Sequence, residues 1–104
     1  MPVPPKSVRD AARRGLEARE KATASNKAGT PVGIKRANDL ARGANISVNT
    51  LKRMRSYLAR ARDNYERARK KGLTAENSKA IQAYLLWGST SARAWVEREL
   101  NKLD

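Results

Sequence analysis

A chain of 104 residues that is 39% hydrophobic can fill one modest core but not two. With no cysteine and no histidine, disulfides, thiolate chemistry, the usual zinc ligand sets and every nucleophile–histidine arrangement are excluded. The 23 basic and 10 acidic residues leave a formal charge of +13, which opposes folding by self-repulsion and favours a polyanionic partner.

The aromatics are Tyr57, Tyr65, Tyr84, Trp87 and Trp95, alanine is abundant, and the β-branched runs of a sheet are missing. The expected fold class is therefore all-α, a compact bundle of about five helices with one long central helix. "MPVPPK" is too rich in proline to start a helix and has no hydrophobic segment of a signal peptide. Residues 1–6 are read as an extended arm and 7–104 as a single helical domain, soluble and intracellular, with no membrane span. Ser7-Val8-Arg9-Asp10 resembles a capping box, and Val8, Ala11, Ala12, Leu16 and Ala22 share a face, giving a helix from about 8 to 24. Gly15 weakens its middle by ~1 kcal/mol.

"ASNKAGTPVG" breaks the pattern. Thr30-Pro31 reads as an N-cap with proline at the first helical position, starting a short helix to about Arg42 that Gly43 ends. Ser47 caps the next helix. From there Leu51, Met54, Leu58, Ala61, Tyr65 and Ala68 recur at spacings of three and four, the longest apolar seam in the chain, ending at Gly72. Thr74 is expected to cap a short helix with Ile81, Leu85 and Leu86 inward, closed by Gly88. Ser89 or Thr90 should cap the last, with Ala92, Trp95, Val96, Leu100 and Leu103 buried. Trp87, Trp95 and Tyr84 have the residues for stacking on bases, but their apolar, uncharged surroundings assign them to the core.

Charge is unevenly placed: residues 51–72 hold nine basic and two acidic side chains, whereas 73–104 hold four of each. The segment 31–70, around "DLARGANISVNTLKRM", has the spacing of a helix-turn-helix. Ala41 supplies the small contact between the helices, Asn45 takes the left-handed turn position where glycine is usual, Ile46 is buried, and Ser47 is the cap. With Leu51, Met54 and Leu58 inward, Asn49, Lys52, Arg53, Ser56, Arg60 and Arg67 lie on the opposite face. Asparagine pairs bidentately with adenine, arginine and lysine reach guanine, and serine holds phosphate, so the stripe suits duplex DNA. The same pattern also describes a merely solvated helix surface. Arg55, Arg62 and Arg69, seven residues apart, are candidates either for pairing with Glu17, Glu20, Glu97 or Glu99 or for phosphate. Single carboxylates scattered among cations offer no acid/base pair, metal site or cofactor site, and no enzyme is expected.

"ANISVNTLKR" resembles the turn and second helix of the lac-repressor type of DNA-binding module, which typically reads Ala-Gly-Val-Ser-x-x-Thr-Val-x-Arg. That resemblance implies that Ser47, Asn49, Lys52, Arg53 and Ser56 face the DNA. More widely, "VRDAARRGLEAREK", "GTPVGIKRANDLARGANISVNTLKRMRSY" and "LLWGSTSARAW" look like a small helical module of tailed-bacteriophage proteins, largely of unassigned function. The stretch "LARARDNYERARKKG" departs from it, being more basic and lacking a histidine-containing segment. This resemblance implies a location in the host cytoplasm or the virion. It also implies an alternative to operator-type DNA binding: a protein-interaction module, either a virion component touching packaged DNA or the shell, or an early protein binding an acidic host protein such as RNA polymerase.

Overall fold

Side-chain caps at Thr30, Ser47 and Ser78 fix where three of the helices begin. Their oxygens accept from the backbone N–H of Gly33, Thr50 and Ile81 at 3.1, 3.2 and 3.3 Å. The computed structural model describes residues 2–103, and every regular element among them is helical. The α-helices are α1 (Lys6–Lys21), α2 (Pro31–Ala41), α3 (Val48–Lys70), α4 (Lys79–Leu86) and α5 (Ser89–Asn101), with a 3-10 turn at Ala24–Asn26. None is long and apolar enough to cross a membrane.

Several boundaries differ from the sequence reading. α1 begins at Lys6 after Pro5, without a side-chain cap from Ser7, and stops at Lys21, where Ala22 turns extended. Thr74 belongs to a turn held by Asn77, whose side chain accepts from the Thr74 N–H at 2.7 Å, so Ser78 and not Thr74 caps α4. Neither Ser89 nor Thr90 caps α5; its N-cap is Gly88. Leu103, past the last turn of α5, is 60% exposed rather than buried.

The chain reversal between α2 and α3 is made by Gly43 at φ +73°, not by Asn45, which stays out of the left-handed region. The Ala44 N–H reaches the Asp39 carbonyl at 3.0 Å and the Gly43 N–H reaches the Leu40 carbonyl at 3.1 Å, the paired bonds of a Schellman ending. Once the terminal carbonyls are satisfied this way, Ala44 and Asn45 need no special conformation to reach Ser47.

α1 packs on α2 and α4, while α3 packs on α5 and α4, so α4 is the shared wall between the two pairs. α2 and α3 share little packed surface: Ala41 packs on the common core to which α3 contributes Leu51, Met54 and Leu58, and its carbonyl accepts from Arg13 at 3.0 Å. The core joins Val8 and Ala12 of α1, Leu40 of α2, the turn residue Ile46, Leu51, Met54 and Leu58 of α3, Tyr84 of α4, and Ala92, Trp95, Val96 and Leu100 of α5. Gly15 is a close-approach position, because a Cβ there would lie 2.7 Å from the Leu86 backbone nitrogen. Its helix-propensity cost allows α1 and α4 to meet. The N-terminal arm is extended but docked: Pro4 is buried, its carbonyl accepts from Arg9 at 2.8 Å, and the Pro2 carbonyl accepts from Ile46 N–H at 2.8 Å.

Candidate nucleic-acid interface

α3 is a 23-residue rod gripped on one side. Leu51, Met54, Leu58 and Ala68 are buried, and Ala61 and Tyr65 are partly covered, as the seam predicts. Asn49, Lys52, Arg53, Ser56, Arg60 and Arg67 are all exposed. No other helix covers this face, because α4 and α5 both lie on the seam side.

The predicted set is not one cluster. Ser47 is half-buried at the head of α3, and its hydroxyl is engaged with Thr50, accepting from the backbone and bonded to the Thr50 hydroxyl at 3.0 Å. It stiffens the first turn rather than offering a free donor. Asn49 stands alone about one turn before Arg53. Arg67, a rise of ~10 Å beyond Arg60, donates to the Asn64 side chain. Lys52, Arg53, Ser56 and Arg60 do come together, around an open groove of about 440 Å³ whose remaining lining is Tyr57 and Trp87.

The sequence pattern offers Trp87 for base stacking only to assign it to the core, and it does not single out Tyr57. Trp87 packs against the core but is half-buried rather than enclosed, and its ring stacks on Tyr57 with centroids 4.4 Å apart and 27° between planes. It caps the C-terminus of α4, and a Cβ on Gly33 of α2 would sit 3.4 Å from its Nε1, so its indole edge rests against the first turn of α2. The other stack, Tyr65 on Tyr84 at 4.2 Å, is the core counterpart one step along the helix pair. Burial pushes the Tyr57 hydroxyl above the ordinary tyrosine range, partly offset by nearby Arg60, so the ring is uncharged at neutral pH.

Most cations on the exposed face have no carboxylate within ion-pair distance among the described residues, Lys52, Arg53, Arg55 and Arg60 included. Of the two roles open to Arg55, Arg62 and Arg69, pairing with Glu17, Glu20, Glu97 or Glu99 does not occur among the described residues. Arg62 pairs within α3 with Glu66 at 3.1 Å, and Arg69 donates to the Tyr65 hydroxyl at 2.9 Å with its guanidinium 5.8 Å from the ring centre. Glu17 and Glu20 are on α1, which does not pack on α3, and Glu99 is held by Lys102 at 3.2 Å. Arg55 and Glu97 face a common groove between α3 and α5 without forming a pair.

Compared with known proteins, the chain matches no family model, no curated protein and no solved structure. The resemblances to the repressor segment and to the phage module thus rest on the quoted residues alone.

Proposed function

We propose that this is a phage-type DNA-binding protein that lays the exposed face of α3 along duplex DNA, without catalysis. The supporting observation is the row Asn49, Lys52, Arg53, Ser56, Arg60 and Arg67, exposed on one face of a single helix with its foremost cations unpaired. From Asn49 to Arg67 the helix rises ~27 Å, more than twice the ~12 Å width of a major groove. Only the N-terminal part can therefore reach base edges, and the distal part meets phosphate. The reading does not require α2 as a bracing helix, since α4 and α5 support α3 from behind.

Selection from randomised duplexes, followed by titrations at several salt concentrations, tests it. Asn49→Ala and Arg53→Ala should each cost ~1–3 kcal/mol on the enriched site and less on scrambled DNA. Arg67→Ala should weaken both equally and reduce the salt slope by about one. Binding that is insensitive to salt sinks the proposal. An acidic protein partner that stays bound in excess duplex would transfer the same face to protein recognition.

A further inference from the structure

The outward row on α3 leaves unexplained the groove beside it. Between α3 and α4 the first stretch, lined by Lys52, Arg53, Ser56, Tyr57, Arg60 and Trp87, runs into a second of about 330 Å³ lined by Tyr57, Arg60, Ala61, Asn64, Ala80 and Ala83. Tyr57 and Arg60 belong to both. From Lys52 to Asn64 the groove follows α3 for ~18 Å. Among the described residues no acidic side chain lines either stretch, whereas the groove on the α5 side of α3 contains Glu97.

The stacked Tyr57–Trp87 pair packs against the core on its inner side but is only partly buried, so ring area is left facing the groove beside a row of unpaired cations. Stiff aromatic faces beside a cationic track are what single strands use, because every base has a face to stack and every nucleotide a phosphate to neutralise. An intact duplex cannot use them, since its bases are already stacked on each other. We infer that the α3/α4 groove holds an unpaired nucleic-acid strand, one base extending the Tyr57–Trp87 stack while Lys52, Arg53 and Arg60 take the adjoining phosphates. Asn64 stands at the far end, where its side-chain amide can bond a base edge. Ala80 and Ala83 keep the α4 wall low enough for the strand to lie in. The inference rests on the reading of the partner as nucleic acid, but not on duplex binding.

The test is a tryptophan-fluorescence titration of the full chain with twelve-residue oligo-dT and oligo-U, run beside a twelve-base-pair duplex. Trp95 is buried in the core, so quenching reports on Trp87. Both Tyr57→Leu and Ala80→Gln are tested: the first removes the ring while keeping an apolar side chain, the second fills the groove without changing charge. Strand binding should quench the fluorescence, Tyr57→Leu should weaken it roughly 5- to 150-fold, and Tyr57→Phe should restore it. Ala80→Gln should weaken it as well, and neither variant should alter duplex affinity appreciably. Thermal melts identify a variant that fails to fold, in which case Ala80→Gln carries the test. Strand binding without quenching, or unchanged by Ala80→Gln and Tyr57→Leu, overturns the inference. Loss of duplex binding alone, with the strand still held in the groove, overturns the duplex proposal instead.

Discussion

On α1, Arg9 and Arg19 reach the Pro4 and Ala28 carbonyls at 2.8 and 2.9 Å, and Arg13 divides its guanidinium between Asp10 and the Ala41 carbonyl. Asp39 on α2 gathers Lys35, Arg36 and Arg42 within 4 Å, as Asp10 gathers Lys6 and Arg13. On α3 the only cation that meets a carboxylate is Arg62, among the described residues. The two regions are both basic but use their charge differently. A guanidinium that donates to a loop carbonyl holds the arm, the turn or the segment after α1 in place, and its charge is spent locally. On α3 the guanidinium groups of Arg53, Arg55 and Arg60 have no local acceptor among the described residues, so their field extends into solvent, where a polyanion can be drawn in.

That contrast requires α3 to be held rigidly by its buried side alone. Leu58 is fully buried in the seam, and Leu58→Ala should cost ~2–5 kcal/mol in urea denaturation, the largest effect expected of any substitution considered. A cost below ~1 kcal/mol would mean that the seam does not fix the helix and that its outer face has no set orientation. A smaller, reciprocal effect separates the two classes of arginine. Arg9→Ala and Arg19→Ala should each lower stability by about 1 kcal/mol, because each removes a charged donor from a part-buried carbonyl, while leaving the salt slope of DNA binding unchanged. Arg60→Ala should do the opposite: stability within ~0.5 kcal/mol of the parent and a slope reduced by about one. Denaturation curves and salt titrations of the same three proteins decide it.

The parts of this arrangement that periodicity governs were legible in the sequence. Thr30-Pro31, Ser47 and the Leu51–Met54–Leu58 spacing are local, and they place α2, the head of α3 and its exposed row correctly. The turn was misread because Asn45 occupies the position that a familiar spacing reserves for the left-handed residue, whereas the Schellman bonds at Asp39 and Leu40 place it at Gly43. Trp87 packs against the core, as its apolar neighbours suggest, but its partial exposure was not legible, for a different reason. It follows the last residue of α4, where helical phase no longer says which way a side chain points, and its position depends on Gly33 and Tyr57, far away in sequence. The groove it borders is a product of tertiary packing between α3 and α4. A seam tells which face of α3 is covered but not by which helix, so neither the groove nor the preference of α3 for α4 and α5 over α2 could be read from it.

The smallest expected effect lies at Asp39, whose side chain is 14% exposed. Its partial burial raises the carboxyl pKa, but hydrogen bonds from Arg42 and Lys35 and the charge of both outweigh it, so the group sits below the ordinary aspartate range. The folded protein thus gives up this proton more readily than the unfolded chain, whose aspartates titrate near pH ~3.9. In the window where only the unfolded chain has bound the proton, stability rises with pH. The contribution is complete above that unfolded value and disappears as pH falls through the lower folded one. Lys35 and Arg42 are largely in water, so the amount at stake is an exposed-pair amount, ~0.3–1 kcal/mol. Asp39→Asn should lower the melting temperature slightly at pH 7, and the difference from the parent should close on acidification toward pH 2. Asp63→Asn on α3 supplies the contrast, since Asp63 is exposed and in no ion pair among the described residues, and its substitution should leave the melting temperature at pH 7 where it was. Melting temperatures of the three proteins from pH 2 to 7 measure this directly. Equal melting temperatures at pH 7 for all three would mean that the cations around Asp39 are as unspent as those of α3, and the distinction between the two regions would fail at its best-defined carboxylate.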